Sequence, residues 1–139
     1  EAIAISYEAN ANRGPGTARN FFPAFAEKFG LVCERASTIE ELLNCLRTGG
    51  AAVALVSEVK GERVGLFTHG GHYIAVIGEE PDGRLAILDP SYFPGKYEEE
   101  GRQGKIEMKH EVIALCAPEI LQEEARAKHP GAYMLFHRT

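Results

Sequence analysis

Residues 67–78 read FTHGGHYIAVIG, and residues 85–90 read LAILDP. Both stretches are rich in apolar and β-branched residues, and the connection between them contains the turn-forming sequence Pro-Asp-Gly at residues 81–83. This pattern predicts one strand over residues 72–78 and another over residues 84–88, joined as an antiparallel hairpin. We therefore expect an antiparallel sheet that contains this hairpin.

His72 and Asp89 lie at the base of the predicted hairpin. Two residues of a simple hairpin share a face only when the loop between the strands contains an even number of residues. A two-residue turn would place Asp89 opposite Val76, roughly 13 Å from His72 at about 3.3 Å per residue. A four-residue loop from Glu79 to Asp82, or an equivalent bulge, would place the two residues directly opposite each other, with Cβ atoms about 5 Å apart. A functional pair requires this loop or bulge.

An imidazole next to a carboxylate is a recurring arrangement in nucleophilic catalysis. A thiol peptidase needs an imidazole that takes the thiol proton and returns it to the leaving amine, and a third polar group that fixes the imidazole tautomer. His72 and Asp89 could be these second and third members. The structural alternative is an ordinary histidine on a half-exposed strand and an Asp-Pro turn that ends the next strand.

The residues just before His72 could line a substrate cleft. Gly70 and Gly71 would let the backbone pass close to a bound substrate, and Thr68 and His69 would line the approach. His69 and His72 also have the i, i+3 spacing of a metal pair, but no clear third and fourth ligand follows, and glycines would hold the ligands poorly. We expect no metal ion and no cofactor.

Helical signals precede the hairpin. Thr17 can cap a helix that ends at about Phe29, whose aromatic residues have the spacing of a buried face. After a short extended link over residues 31–34, Thr38 and Glu41 form a plausible capping box for a second helix. The aromatic residues of the first helix are Phe21, Phe22, Phe25 and Phe29.

Strand signals dominate the remainder. Strands are predicted over residues 51–59 and 106–116, with a short helix that begins at Pro118 and an edge strand over residues 132–137. Residues 91–105 carry three glycines, a proline and three consecutive glutamates, so we expect a solvated and mobile excursion there. Helices followed by an antiparallel sheet define an α+β domain, and no linker or repeat divides the chain, so one domain over all 139 residues is expected.

Composition excludes several classes of partner. The chain has 15 basic and 20 acidic residues, a net charge of −5, and no lysine- and arginine-rich patch that could follow a phosphate backbone. We therefore expect no nucleic-acid partner. No apolar run approaches the roughly 20 residues that cross a bilayer, so no membrane span is expected in this chain.

The three cysteines, Cys33, Cys45 and Cys116, show neither a CxxC motif nor regular spacing. We interpret them as buried free thiols. None is predicted to begin a helix, where the helix dipole would lower a thiol pKa. None is therefore the expected nucleophile.

The order of motifs resembles a known family. GPGT, a helix that ends AEKFGL, a TIEELL helix, a GG-bounded strand and FT precede GGHYIAVIG, and DG and LDP follow it. This order is similar to the bacteriocin-processing (double-glycine) peptidases and their bacterial stand-alone relatives, within the papain-like clan. The resemblance covers nearly all of residues 7–90 and the C-terminal third only loosely. It implies a papain-like α+β fold and a Cys-His-Asp triad whose His and Asp are His72 and Asp89.

The chain departs from the family at the nucleophile. The family places its cysteine in a GCGP-like motif at the start of the first helix, after a Gln or Asn that helps bind the oxyanion, and neither motif occurs here. Gly14-Pro15-Gly16-Thr17 corresponds better to a downstream loop, so we expect the cysteine segment to precede Glu1. A missing first helix would uncover an apolar groove, which favours a homodimer.

The expected function is hydrolysis of a peptide or small amide by the intact protein, with this chain alone inactive. Two alternatives stay open. One is a non-catalytic relative of the same fold that binds peptides or regulates a partner. The other is an acyltransferase that uses the same triad on an amine or thiol acceptor.

Overall fold

A computed structural model describes residues 21–58, 64–68 and 70–138. Within these ranges the chain forms one seven-stranded antiparallel sheet and three helices, which confirms the predicted α+β class. None of the helices in these ranges is long and apolar enough to cross a membrane. The elements are α1 (Phe21–Lys28), β1 (Leu31–Ala36), α2 (Ile39–Arg47), β2 (Ala51–Ser57), β3 (Gly71–Glu79), β4 (Leu85–Leu88), β5 (Ile106–Met108), β6 (Ile113–Cys116), α3 (Pro118–Ala125) and β7 (Tyr133–Arg138).

The hairpin predicted from the sequence lies in the middle of the sheet. The strand order is β1-β7-β2-β3-β4-β6-β5, and β3 pairs with β4 in the antiparallel sense. Gly71 begins β3 and Leu88 ends β4. Because neighbouring strands run in opposite directions, His72 and Asp89 lie at the same end of the sheet.

Alternate strand residues and two helices enclose one apolar core. Side chains two residues apart in a strand share a face, so His72 lies on the same face as the buried residues Ile74 and Val76. Each large apolar side chain buried in this way contributes roughly 1.5–3 kcal/mol. The core cluster contains Ala52, Ala54, Val56, Ile74, Val76, Leu85, Ile87, Ala114, Cys116, Tyr133 and Leu135 from strands, and Leu42, Cys45, Leu46, Leu121 and Ala125 from helices.

The second predicted helix is confirmed as α2. Thr38 caps it, since its Oγ1 accepts a hydrogen bond from the backbone N–H of Glu41 at 3.2 Å. The reciprocal half of the capping box differs from the prediction, because the Glu41 carboxylate accepts from the Thr38 hydroxyl at 2.8 Å. Gly49, with φ of 90°, lets the chain leave the helix.

The aromatic face predicted for the first helix is wrong at Phe29, which follows the end of α1 and is 45% exposed. Leu31–Ala36, predicted in part as a link, is instead the outermost strand β1, paired with β7. Its polar residues stay solvent-exposed at the sheet edge, which is why its composition resembles that of a link. The predicted cap Thr17 and the side chains of Phe21, Phe22 and Phe25 lie outside the described residues.

Two further strand predictions are corrected at the sheet edges. Residues 106–116 form two strands, β5 and β6, because the polar residues between them make a turn in which the Lys109 N–H donates to the Ile113 carbonyl at 2.8 Å. The last strand, β7, is interior rather than an edge, because β1 pairs on its outer side. The helix predicted to begin at Pro118 is confirmed as α3.

Candidate active site

The β3–β4 register determines whether His72 and Asp89 can meet. Residues 80–84 form a five-residue loop between the paired strand ends, so the predicted four-residue loop is wrong. A β-bulge between Val76 and Gly78 adds one residue to β3 and restores the even count. The bulge predicted as the alternative to a four-residue loop is therefore present.

The two side chains meet as a hydrogen-bonded pair. Nε2 of His72 lies 2.7 Å from Oδ1 of Asp89. The predicted contact is confirmed, but the predicted direct opposition is wrong. Ala75 pairs with Leu88, so the position opposite Asp89 is Ile74, and His72 is its diagonal neighbour on the same face. Diagonal Cβ atoms are about 7–8 Å apart, a distance that a long side chain can span.

Asp89 accepts two hydrogen bonds at each carboxylate oxygen. Oδ1 accepts from Nε2 of His72 at 2.7 Å and from the Ser91 backbone N–H at 2.9 Å, while Oδ2 accepts from Nζ of Lys96 at 2.6 Å and from the Tyr97 hydroxyl at 2.8 Å. Burial by itself raises the pKa of this carboxyl, but these hydrogen bonds hold the pKa of Asp89 well below its usual range. Asp89 is therefore ionised.

The ionised carboxylate fixes the tautomer of His72. A carboxylate can only accept hydrogen bonds, so Nε2 of His72 carries the shared proton. In the described part of the chain, no group is hydrogen-bonded to Nδ1, and the His72 side chain is 18% exposed. In a neutral imidazole with this tautomer, Nδ1 carries a lone pair and can act as a base.

Tyr97 is a buried donor held by aromatic packing. The Phe67 ring meets it edge-on, with centroids 5.8 Å apart, and the Tyr92 ring stacks on it at 5.6 Å. Burial and the nearby charge of Asp89 raise the pKa of Tyr97 well above its usual range. Its hydroxyl therefore keeps its proton and donates to Asp89.

The segment over residues 91–105, predicted to be a solvated excursion, packs into the site. Lys96, Tyr97 and Arg102 are only 3%, 4% and 4% exposed, so the prediction is wrong for these residues. The three consecutive glutamates at residues 98–100 are exposed, as predicted. Sequence reasoning missed Lys96 and Tyr97 because lysine in a loop rich in glycine and charge is usually solvated. The one available signal was their position soon after Asp89.

The segment before His72 is anchored by two buried charged side chains. Arg102 donates from Nε to the Gly65 carbonyl at 2.8 Å, and the Leu66 N–H donates to Oε1 of Glu124 at 2.6 Å. Arg102 follows Asp89 in the chain, and Gly65 precedes His72. The 91–105 segment therefore connects the surroundings of both members of the pair.

The candidate substrate residues lie directly before His72. Oγ1 of Thr68 accepts a hydrogen bond from the Gly70 N–H at 3.1 Å, and Gly71 begins β3. A Cβ added at Gly71 would lie 3.4 Å from Nζ of Lys128, so an ammonium group borders this approach. His69 lies outside the described residues. Contact of these residues with a substrate stays a prediction.

None of the three cysteines borders the pair. Sγ of Cys45 lies 3.9 Å from Nδ1 of His137, and burial raises its pKa, so it remains a thiol. Cys116 pairs with Leu85, at the end of β4 remote from Asp89, and burial raises its pKa to about 12. Cys33 lies on β1, which β7 and β2 separate from β3. Cys45 and Cys116 are buried free thiols as predicted, whereas Cys33 is partly exposed.

The described residues around the pair include no recognisable metal-binding set. Across the described ranges, His, Cys, Asp and Glu side chains form no group of three or more that could hold a metal ion.

No protein-family model and no curated protein matches the chain. The arrangement by itself provides an imidazole base, oriented by a buried and ionised carboxylate.

Proposed function

We propose that this chain belongs to a papain-like cysteine peptidase, with His72 as general base and acid and Asp89 as the group that orients it. The supporting observation is the 2.7 Å contact between Nε2 of His72 and the buried Oδ1 of Asp89, which leaves Nδ1 for the chemistry. The order of the GGHYIAVIG and LDP motifs, which resembles the double-glycine peptidases, supports the same proposal.

The proposal requires a nucleophilic thiol beside His72, and none of the three cysteines of this sequence lies there. All three cysteines lie in the described part of the chain: Cys33 is on β1 at the edge of the sheet, Cys116 pairs with Leu85 at the far end of β4, and Cys45 on α2 lies beside His137. On this proposal, the nucleophilic cysteine is not one of these 139 residues. By itself this chain is expected to be inactive.

In the proposed reaction, Nδ1 of His72 takes the proton of the thiol, and the thiolate attacks the carbonyl carbon of the substrate amide. The imidazolium then gives this proton to the leaving nitrogen as the C–N bond breaks and a thioester remains. Water attacks the thioester with His72 again as base, which releases the acid and restores the thiol. Asp89 stabilises each imidazolium through a charge-assisted hydrogen bond.

The test uses the complete natural protein that contains this chain, with peptide amides as substrates. We expect hydrolysis that a thiol-alkylating reagent blocks and that His72→Ala lowers on the order of a thousandfold. His110→Ala, an exposed histidine in the β5–β6 turn, is the matched control and should retain activity. Turnover that survives His72→Ala would contradict the proposal. A complete protein that contains no further cysteine would also contradict the proposal.

The second candidate is a peptide-binding domain of the same fold. It is favoured by a groove of about 640 Å³ that the 91–105 segment forms against β5 and β6, with Tyr92, Tyr97, Ile106 and Met108 in its walls. Peptide binding that survives His72→Ala but is lost in Tyr92→Ala, in a protein without amide turnover, would favour this candidate. A screen of amine and thiol acceptors would separate acyl transfer from hydrolysis.

A further inference from the structure

The carboxylate of Asp89 lies between two groups that can carry positive charge. Nζ of Lys96 is 2.6 Å from Oδ2, and Nε2 of His72 is 2.7 Å from Oδ1. The side chains of Lys96 and Asp89 are 4% and 1% exposed, so water contributes little to their stabilisation. The ammonium and the carboxylate form a buried ion pair.

A buried carboxylate needs a compensating charge. If His72 were its only cationic partner, formation of the imidazolium would supply that charge. An imidazolium carries protons on both ring nitrogens, so Nδ1 could no longer accept a proton from a nucleophile. Because Lys96 supplies the charge at the opposite oxygen, His72 does not have to be a cation to balance Asp89.

The local backbone directs Lys96 to this position. Gly95 has φ of 85° and precedes the short 3₁₀ turn Lys96–Glu98, in which the Lys96 N–H donates to the Phe93 carbonyl at 3.0 Å. Two consecutive side chains, Lys96 and Tyr97, then reach the same oxygen of Asp89. A left-handed φ at the preceding residue favours glycine, which makes Gly95 part of this arrangement.

We propose that Lys96 is a positioning residue for the His72–Asp89 pair: its ammonium compensates Asp89 and holds Oδ2, so that Oδ1 accepts from Nε2 while Nδ1 stays open as a base. A contribution of Lys96 to catalysis rests on the peptidase function proposed above. Other charged or titratable groups of the described part that border this arrangement include Tyr97, which donates to Asp89, Tyr92, which stacks on Tyr97, and Lys128, which borders Gly71 beside His72.

The first experiment measures the protonation of the His72 ring by NMR of its nitrogens at neutral pH, in this chain, with His72→Gln to assign the signals. Lys96→Met should raise the ratio of doubly to singly protonated His72 on the order of tenfold over wild type, because the unbalanced carboxylate favours the imidazolium. Lys109→Met is the matched control. Its Nζ lies 2.6 Å from Oε1 of Glu80, but its side chain is 47% exposed, so no change at His72 is expected. A folded Lys96→Met protein with unchanged His72 protonation would overturn the proposal.

A second measurement covers the case in which Lys96→Met does not fold. In the wild-type chain, the ammonium protons of Lys96 should exchange with water at least roughly tenfold more slowly than those of Lys109, because Lys96 is buried against Asp89. Equal exchange rates would overturn the proposal. Neither measurement requires hydrolysis, so the role of Lys96 and the proposed peptidase activity can fail independently.

Discussion

The Tyr97 hydroxyl donates a hydrogen bond to Oδ2 of Asp89 at 2.8 Å, on the side of the carboxylate away from His72. The two oxygens of Asp89 therefore have different partners. Oδ2 is held by two side chains of the 91–105 segment, Lys96 and Tyr97, while Oδ1 accepts from the imidazole. A carboxylate fixed from one side presents a defined acceptor to His72 on the other.

Tyr97→Phe should destabilise the fold more than the loss of an ordinary hydrogen bond. A hydrogen bond to a charged group contributes roughly 1.5–3 kcal/mol, against about 0.5–1.5 kcal/mol for a neutral pair. Tyr133→Phe is the matched control, since Tyr133 is also buried and donates to the neutral Oε1 of Gln122 at 2.6 Å. Urea unfolding measures both free energies. Equal losses for the two variants would contradict the special role of the Asp89 partner.

Arg102→Met should loosen the segment that precedes His72. The variant loses the bond to the Gly65 carbonyl and the ion pair with Glu99, in which the Arg102 side chain is only 5% exposed. We expect a loss of about 1–3 kcal/mol in unfolding free energy, because the buried Gly65 carbonyl is left without its donor, while the pair with the half-exposed Glu99 adds little. Hydrogen exchange at residues 64–68 should also accelerate.

The control for Arg102→Met is Arg126→Met. Arg126 pairs with Glu123 at the same i, i+3 spacing, but both side chains are about half exposed, at 49% and 50%. Exposed pairs of this kind contribute little, so a change within about 1 kcal/mol is expected. If both arginine variants lose the same free energy, the 91–105 segment does not anchor residues 64–68.

Short sequence patterns correctly predicted the helices and strands that neighbouring residues alone can specify. The β3–β4 hairpin follows from apolar strands around a turn sequence, and α2 follows from the capping residue Thr38. The position of β1 outside β7 was not predictable in the same way, because it is fixed by pairing between the two ends of the described chain. Strand order of this kind depends on long-range contacts that no window of sequence contains.

The sequence allowed the central pair of the candidate site to be predicted, but not the side chains that hold it. His72 and Asp89 stand at strand ends and within motifs that resemble a known family, so both could be named from the sequence. Lys96 and Tyr97 could not, because their loop has the composition of a solvated segment, and only tertiary burial turns them toward Asp89. The bulge between Val76 and Gly78 was anticipated only as a requirement of the functional pair.

Gly50→Ala should destabilise the chain through steric overlap. A Cβ at this position would lie 2.6 Å from Sγ of Cys45 and 2.6 Å from the Phe136 carbonyl oxygen, and the latter is backbone that cannot easily move. Overpacking of this kind costs about 1–3 kcal/mol. Gly78→Ala is the control, because among the described residues, apart from its two neighbours in the chain, no heavy atom lies within 4 Å of its added Cβ. Thermal unfolding should show a lower midpoint for Gly50→Ala, and similar midpoints for both variants would contradict the close packing at Gly50.

The acid sensitivity of the fold should depend on Asp89. Its pKa in the folded protein lies below the ordinary value of 3.8, so the unfolded chain takes up the proton more readily than the folded chain. The stability that Asp89 contributes is therefore present above about pH 4 and is lost as the pH falls further. Asp89→Asn should lower the free energy of unfolding at neutral pH and flatten its decline on the acid side, as measured by urea unfolding at several pH values. Asp82→Asn removes an exposed carboxylate whose partners are screened by solvent, so its acid dependence should stay close to that of wild type. If the Asp89→Asn protein loses stability with acid as steeply as wild type does, Asp89 is not the ionised carboxylate, held by four hydrogen bonds, that orients His72.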